Sequence, residues 1–228
     1  MSLLLAAIVY MVYMSFGLRL LWHLFFWIKA FRPLTGIYNK KNRATFGSLI
    51  LMFIDIVSFR RVFVASGPLW FGSSLFHLSF LFVALRHLRY FTYPVPLCIM
   101  DLQTCGILAG YILPASVIYL LSIRIFSKKD RYLTYDNYLI LGLVLLISIT
   151  GLFMRLIFRP DLISIKEFCF GLLTFHQTSL QDGYLFVIHL LTVLLLVILL
   201  PSHIFSAPLI TIVARRREST LEMIMHEK

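Results

Sequence analysis

Long apolar runs separated by short polar connections dominate the sequence. They predict five membrane-spanning helices, at about residues 3–28, 72–93, 104–126, 137–158 and 183–207. Each run can cross the roughly 30 Å of hydrocarbon in a bilayer, which takes about 20 helical residues. Helices satisfy their own backbone hydrogen bonds in lipid, and the short alternating segments of a membrane β-barrel are absent from the sequence. We therefore expect an all-α, polytopic membrane bundle of five transmembrane helices that forms one domain over residues 1–228.

A further apolar stretch, residues 46–64, differs from the five runs because Asp55, Arg60 and Arg61 interrupt it and a Gly-Pro pair follows it. An interfacial helix on the membrane surface fits this pattern better than a sixth span. If the stretch did span the membrane, every later helix would invert. The N-terminal run is too long for a signal-peptide core and has no clear cleavage motif, so we expect it to be retained as the first span.

Composition and charge agree with a membrane protein. Hydrophobic residues make up 60% of the 228 positions, charged residues only 14%, and the formal net charge is +11. The mean hydropathy is +0.90, so lipid rather than water must surround the chain. The cations lie in clusters between the apolar runs, which indicates membrane topology rather than nucleic-acid binding.

With five spans, the main cation clusters all fall on one side of the membrane. They comprise Lys29, Arg32, Lys40, Lys41, Arg43, Arg60, Arg61, Arg124, Lys128, Lys129, Arg131, Arg215, Arg216, Arg217 and Lys228. Because cytoplasmic connections carry the excess of Lys and Arg, the pattern predicts an outside N-terminus and a cytoplasmic tail at residues 209–228. The expected location is a prokaryotic cytoplasmic membrane.

Cys98, Cys105 and Cys169 show no CxxC spacing and are odd in number. Neither a disulfide framework nor an iron-sulfur site is indicated, so we expect them to be packing residues.

Four histidines lie within two of the predicted spans, His77 and His87 in the second and His189 and His203 in the fifth. Ionisable side chains are costly inside a membrane, which makes these four candidates for function. At 1.5 Å per residue, the ten- and fourteen-residue spacings correspond to about 15 and 21 Å. The two spans run in opposite directions, so antiparallel packing would pair His87 with His189 near the outer face and His77 with His203 near the inner face.

Two pairs of imidazoles stacked across the membrane can ligate two hemes b, since low-spin heme iron takes one axial nitrogen from each face. The angular positions support this arrangement less directly. His77 and His87 are ten residues apart, which leaves them about 80° apart around the helix, so they share a face only if the helices tilt or rotate. Pro201 could supply a kink in the fifth span. The alternative is four unrelated polar residues that form hydrogen bonds within a bundle.

Other polar residues near these spans have simpler expected roles. His23 has no predicted partner and is expected to be structural, whereas His176 and His226 are expected to be solvated. Arg86 and Arg89 could neutralise heme propionates or lie near a quinone, and snorkelling arginines at a headgroup layer are the alternative.

The segments SSLFHLSFLFVALRHLRYF and HLLTVLLLVILLPSHIFSAPL, with LFH at 75–77, HLRYF at 87–91, TFH at 174–176 and HIFSAP at 203–208, resemble a known family. They are similar to the gamma (cytochrome b) subunit of respiratory nitrate reductase. The likeness is closer to the membrane cytochrome b of the sulfite-reduction-associated Dsr complex and of heterodisulfide-reductase-like menaquinol-oxidising complexes. It covers roughly residues 70–214.

This resemblance implies five spans, an outside N-terminus, two hemes b and a quinone site near the outer heme. It assigns His87 and His189 to the outer heme and His77 and His203 to the inner heme. The chain departs from the nitrate reductase pattern in two ways, which limits how far the family's residue roles can be transferred to it. The nitrate reductase subunits hold their last two histidines about one helical turn further apart, and they place a quinone-site lysine where this chain has Asp101, Gln103 or Thr104.

We hypothesise that the chain passes electrons between menaquinol near the outer face and a cytoplasmic-side iron-sulfur subunit of a larger hetero-oligomeric complex. It would act as the quinone-reacting subunit of an oxidoreductase, because it has no nucleotide loop, metal-ligand cluster or nucleophile constellation for a terminal substrate. The alternatives are a cytochrome b subunit of the formate dehydrogenase or hydrogenase type, a heme-free transporter and a heme-free scaffold.

Overall fold

The computed structural model describes residues 2–31, 46–126, 135–176 and 183–204. These residues form helices joined by turns, and no strand occurs within these ranges. The helices are α1 (Ser2–Phe31), α2 (Phe46–Val57), α3 (Arg60–Ala65), α4 (Gly67–His87), α5 (Leu97–Asp101), α6 (Gln103–Phe126), α7 (Tyr135–Phe153), α8 (Leu162–Thr174) and α9 (Tyr184–Ile204).

Five of the helices in the described ranges, α1, α4, α6, α7 and α9, contain stretches long and apolar enough to cross a membrane. The stretches are Leu3–Phe26, Gly67–Tyr90, Gln103–Phe126, Asn137–Phe158 and Tyr184–Ile204. The second continues past α4 through a 3-10 turn at Leu88–Tyr90, and the fourth continues past α7 through a π-helical turn at Met154–Phe158. They confirm the prediction of an all-α, multi-pass membrane protein with five spans. Residues 205–207 of the fifth predicted span, and the tail at 209–228, lie outside the described residues.

Helix α4 begins at Gly67, five residues before the predicted start of the second span. The reason is local, because the Ser66 side chain accepts a hydrogen bond from the Leu69 backbone amide and Pro68 occupies the first turn. A serine cap followed by proline is a strong helix start. The extra turn brings the first connection directly against the start of this span.

Two helices replace the single interfacial helix predicted over residues 46–64. Helices α2 and α3 are separated at Phe59, whose φ of 52° and ψ of 32° are left-handed and cannot continue a helix. The twelve residues of α2 extend about 18 Å, which is too short to cross the bilayer. Asp55 in α2 is buried and its carboxylate lies 3.5 Å from the Arg60 guanidinium. The position of α2 and α3 at a membrane surface stays a prediction.

Helix α8 was not predicted. Asp161 caps it by accepting hydrogen bonds from the amides of Ile163 and Ser164, and the Ser164 hydroxyl donates to the same carboxylate at 2.6 Å. These bonds hold the pKa of the Asp161 carboxyl below its usual value. The buried face of the helix includes Phe168 and Cys169. Helix α8 therefore packs on the bundle as a sixth substantial element.

Helix α9 lies between two hydrophobic clusters. The first joins α1, α8 and α9 through buried residues that include Leu5, Val9, Phe168, Leu172 and Leu194. The second joins α4, α6, α7 and α9 through buried residues that include Phe76, Val117, Leu120, Val144 and Leu196. Because Leu194 and Leu196 are about 200° apart around the helix, α9 packs on both sides. This central helix carries two of the four candidate histidines.

Glycines allow α4 and α6 to approach closely. A Cβ added to Gly72 of α4 would come within 2.8 Å of the Leu120 and Tyr119 side chains of α6. A Cβ on Gly106 of α6 would come within 2.5 Å of the Arg86 side chain of α4. The two contacts lie at opposite ends of the helix pair, as expected for antiparallel neighbours packed through small residues.

Helix α9 contains a buried proline close to the position where an arginine of α1 binds its backbone. Pro201 is almost fully buried and lacks the N–H that would bond to the carbonyl of Val197. On the next residue, the Ile198 carbonyl accepts a hydrogen bond of 2.9 Å from the Arg19 guanidinium. An arginine within an apolar span therefore joins the first and last membrane helices where the proline interrupts α9.

Candidate functional site: two histidine pairs

Helices α4 and α9 supply the four membrane histidines at two depths. His77 lies ten residues into α4, and His87 is its last residue. His189 lies in the second turn of α9, and His203 is next to the end of that helix. Each helix therefore provides one imidazole toward each end of the bundle.

The structure brings these side chains together as two pairs. The imidazoles of His87 and His189 lie within electrostatic range of each other. His77 and His203 interact in the same way at the other end of the bundle. This is the pairing that depth and antiparallel direction predict, and its role as a ligand set stays a prediction.

Backbone carbonyls orient the two histidines of α4. The Nδ1 atom of His77 lies 2.7 Å from the Ser73 carbonyl, and that of His87 lies 2.6 Å from the Val83 carbonyl. A carbonyl only accepts hydrogen bonds, so each Nδ1 carries the proton and donates it. The unprotonated Nε2 of each exposed ring is then the nitrogen that can ligate a metal.

Helix α7 orients His189. The Thr150 hydroxyl lies 2.9 Å from His189 Nδ1 and also bonds to the Leu146 and Ile147 carbonyls, at 2.9 and 3.0 Å. Since a hydroxyl has one proton, which it gives to a carbonyl, its lone pair accepts the Nδ1 proton of His189. A Cβ on Gly151 would lie 3.4 Å from the ring atom Cε1, so the imidazole packs directly beside this residue of α7.

These residues fit heme iron. Each pair offers two imidazoles, which is the axial ligand set of a six-coordinate heme b. Hydrogen bonds at Nδ1 of His77, His87 and His189 leave Nε2 as the nitrogen that can bind iron in three of the four rings. Within the described residues, no cluster of three or more His, Cys, Asp or Glu side chains could hold a bare metal ion.

Arginines surround the His87 end. Arg86 and Arg89 lie within electrostatic range of His87, and Arg86 also interacts with Arg155, which lies in the π-helical turn just after α7. The Arg89 guanidinium donates to the Tyr90 hydroxyl at 2.8 Å and lies 4.8 Å from the centre of its ring. Sequence reasoning identified Arg86 and Arg89 but missed Arg155, because only tertiary packing brings the end of α7 to this site.

A cavity of about 200 Å³ opens beside the same end of the bundle. It is lined by Arg86, Arg89, Val95, Ile99, Met100 and Gln103. Of the three residues considered at the position of the family's quinone-site lysine, Gln103 lines the cavity, whereas Asp101 and Thr104 do not. The lining combines an apolar wall with cationic and amide groups that donate hydrogen bonds.

The His203 end has different neighbours. Arg124 lies within electrostatic range of His203, and the Phe59 ring packs on His77. A larger cavity of about 540 Å³ is lined by Arg19, Trp22, His23, Ile140, Leu199 and Ser202. His23, expected from the sequence to be structural, lies in the wall of this cavity.

The remaining histidines lie apart from the pairs. His176 is exposed after α8, and its Nδ1 atom lies 2.8 Å from the Thr174 carbonyl. This histidine belongs to the TFH motif that contributed to the family resemblance, and in the structure it lies outside the five spans of the described residues. His226 lies outside the described residues.

Two curated proteins are similar to this chain. Over 176 residues, 67% of this chain, it is 31% identical to the "Hdr-like menaquinol oxidoreductase cytochrome b-like subunit" of Archaeoglobus profundus. Over 119 residues, 47% of this chain, it is 34% identical to the protein of the same name from Archaeoglobus fulgidus. The matches cover 52% and 36% of those proteins, so the chain spans about half the length of the curated relatives it matches, or less.

These matches support the predicted closeness to cytochromes b of Hdr-like complexes. They do not support an assignment to the nitrate reductase gamma subunits. No family model matches the sequence, and no solved structure matches it.

Proposed function

We propose that this chain is the diheme cytochrome b subunit of a membrane quinol oxidoreductase. The observation that carries the proposal is the two histidine pairs at two depths, in which Nδ1 hydrogen bonds of His77, His87 and His189 leave Nε2 as the nitrogen that can ligate. The names of the two relatives add support, since both are called menaquinol oxidoreductase cytochrome b-like subunits.

In this proposal, His87 and His189 hold one heme b and His77 and His203 hold the other. When bound, the hemes supply one-electron redox chemistry at two levels of the membrane. The protein orients the ligands through the Ser73 and Val83 carbonyls and the Thr150 hydroxyl. Arg86 and Arg89 neutralise negative charge, such as that of propionates, at the His87 end.

The cavity beside Arg86, Arg89 and Gln103 is our candidate quinone site. A quinone headgroup presents carbonyl oxygens that accept hydrogen bonds, and the arginine and glutamine side chains can donate them. Oxidation of a quinol there would release two electrons and two protons, with the protons leaving to the adjacent aqueous face. Gln103 would orient the headgroup, and the aliphatic wall would exclude water.

The electrons would pass to or from an iron-sulfur subunit on the opposite face, within a larger complex. The basic connections predicted for that face, together with α2 and α3, offer a docking surface for it. Under the orientation predicted from charge, the quinone site faces outside and the partner is cytoplasmic. A complex purified from its native membrane should then contain iron and acid-labile sulfide beyond the heme iron; their absence would remove the iron-sulfur partner from the proposal.

The test is heme stoichiometry in purified protein. A dithionite-reduced minus oxidised spectrum with a pyridine hemochrome assay should give about two hemes b per chain. Replacement of any paired histidine by leucine should leave about one. His176→Leu is the matched control and should retain both, because it removes a histidine that lies outside the pairs.

Heme-free protein that is folded would contradict the proposal and favour a transporter or a scaffold. A transporter would then show histidine-dependent proton movement, whereas a scaffold would assemble its complex with all four histidines replaced. A heme content that survives every paired-histidine replacement would contradict the ligand assignment alone.

A further inference from the structure

The junction between α2 and α3 packs against α4 and contacts His77. The junction consists of Ser58 and Phe59, and Phe59 has a left-handed backbone with φ of 52°. This conformation is unfavourable for an aromatic residue, since Cβ approaches the backbone and only glycine and asparagine adopt it readily. A fold keeps such a residue only where the surrounding contacts stabilise it.

Contacts from α3 and α4 hold the junction in place without using the Phe59 ring. The indole N–H of Trp70 donates to the Ser58 carbonyl at 2.8 Å. The Phe63 ring meets the Trp70 ring edge-on, with 5.2 Å between their centres. The Phe63 amide also donates to the Phe59 carbonyl at 3.0 Å. The backbone at residue 59 is therefore anchored on both sides.

The Phe59 ring packs on the imidazole of His77. Their centres are 4.7 Å apart and their planes are tilted by 37°. The Phe76 ring meets the same imidazole at 86°, with centres 4.9 Å apart, and the Ser73 carbonyl holds Nδ1. Three neighbours thus restrict the ring while its Nε2 atom stays available.

The His87 ring has no equivalent neighbour from a distant helix among the described ring contacts. It is 5.9 Å from Tyr90, three residues further along the same chain segment. The contact between Phe59 and His77 instead spans eighteen residues of sequence and depends on the break between α2 and α3. Removing the Phe59 ring should therefore affect one histidine pair and leave the other unchanged.

We propose that Phe59 is a positioning residue for His77, and that its ring gives this imidazole an apolar neighbour on one face. The inference rests on the proposed function, because its consequence is a property of the heme held by that pair. Water near a ligand favours the more charged, oxidised iron, and an apolar neighbour disfavours it. Removal of the ring should lower the midpoint potential of that heme alone.

Phe59→Asn is the informative variant, since asparagine tolerates the left-handed backbone while removing the aromatic ring. Phe59→Tyr keeps the ring and should restore wild-type behaviour. Phe53→Leu is the matched control, because it removes an exposed aromatic ring of the neighbouring helix α2 that is not among the described ring contacts of His77. All three variants would be compared with the wild-type full chain in detergent.

Two readouts test the proposal: a potentiometric titration followed optically, and the low-spin ferric signals in electron paramagnetic resonance. We expect Phe59→Asn to lower one midpoint potential and shift one ferric signal, with the second heme unchanged. Loss of one heme alone from folded protein would also support the inference. Phe59→Tyr and Phe53→Leu should match wild type in both measurements.

Three outcomes would overturn the inference. Phe59→Asn could match wild type in both readouts, it could perturb both hemes equally, or Phe53→Leu could reproduce its effect. Each of these leaves the proposed function intact, because wild-type protein still contains both hemes. Wild-type protein without heme would instead refute the proposed function together with this inference, so the two failures are distinguishable.

Discussion

At the scale of single residues, hydrogen bonds to neighbouring groups determine which nitrogen of three of the candidate histidines can bind a metal. The Thr150 hydroxyl and the Val83 carbonyl each accept from a histidine Nδ1, which leaves the opposite ring nitrogen as the ligand atom. Gly151 lies beside the His189 ring, where an added Cβ would be 3.4 Å from the ring atom Cε1. The same reasoning applies to the proposed quinone site, where Gln103 supplies an amide to the cavity.

Replacement of Gln103 by leucine tests that site. The change removes one hydrogen-bond donor and keeps a similar volume, and one such bond is worth about 1 kcal/mol, so kcat/KM for a quinol should fall about five- to tenfold. Steady-state oxidation of a menaquinol analogue would measure this, with heme content as a check on folding.

Thr104→Val is the matched control for Gln103→Leu. Thr104 neighbours Gln103 in α6 but does not line the cavity, so its replacement should leave quinol kinetics unchanged. Equal effects of the two substitutions, or no effect of Gln103→Leu, would move the quinone site elsewhere.

At the scale of elements, close packing of α4 on α6 connects the bundle to the site. Gly106 lets the Arg86 stem pass over α6, and this brings the guanidinium to the cavity beside His87. Because the overlap of an added Cβ involves Arg86 Cβ as well as atoms further out, a small rotation of the arginine cannot relieve it. The helix pair itself would have to separate.

Gly106→Ala should therefore lower the free energy of unfolding by roughly 1–3 kcal/mol, as overpacking does in other protein interiors. Thermal unfolding in detergent, followed by circular dichroism at one protein concentration, would measure the change. Gly110→Ala, one turn along the same helix, has no atom within 4 Å of the added Cβ and serves as the control. A Tm for Gly106→Ala equal to or above that of Gly110→Ala would contradict this account of the packing.

At the scale of the whole molecule, the two ends of the bundle differ in chemistry. Arg86, Arg89 and the smaller cavity lie at the His87 end, whereas the α2–α3 junction and Arg124 lie at the His77–His203 end. Charge clusters in the sequence predict that the second end faces the cytoplasm. That orientation is a prediction, and two positions suit its test.

Cys98 in α5 is exposed at the His87 end, and Ser58 is exposed in the α2–α3 junction at the other end. In intact cells, a membrane-impermeant maleimide should label Cys98 in the native chain. It should label Ser58→Cys, in a Cys98→Ser/Cys105→Ser background, only after permeabilisation. The reverse pattern would place the N-terminus inside.

Cys169 should not interfere with that experiment. It is buried in α8, and burial raises the pKa of its thiol to about 11. Near pH 7 the unreactive protonated form therefore dominates, and thiolate appears only as the pH approaches 11.

The sequence alone predicted the five spans found in the described residues and their approximate bounds, and it singled out four histidines whose pairing by depth stays a prediction. Hydropathy and spacing are local quantities, because lipid solvates each long apolar run independently of its neighbours. The sequence did not predict α8, and it predicted one helix where Phe59 separates two. The left-handed conformation of Phe59 and the short helix α8 have no strong local signal, and both depend on contacts with residues such as Trp70 and Leu5.

Only the tertiary structure decided which groups orient the histidines and which residues meet at each end. Thr150 and Gly151 are 39 and 38 residues from His189, and Arg155 is 69 residues from Arg86, so spacing along one helix cannot relate them. These contacts arise from close packing of different helices, in which side-chain volume and crossing geometry act together. The composition of each segment thus predicts whether it is exposed to lipid, whereas the surroundings of each candidate histidine ligand depend on the assembled bundle.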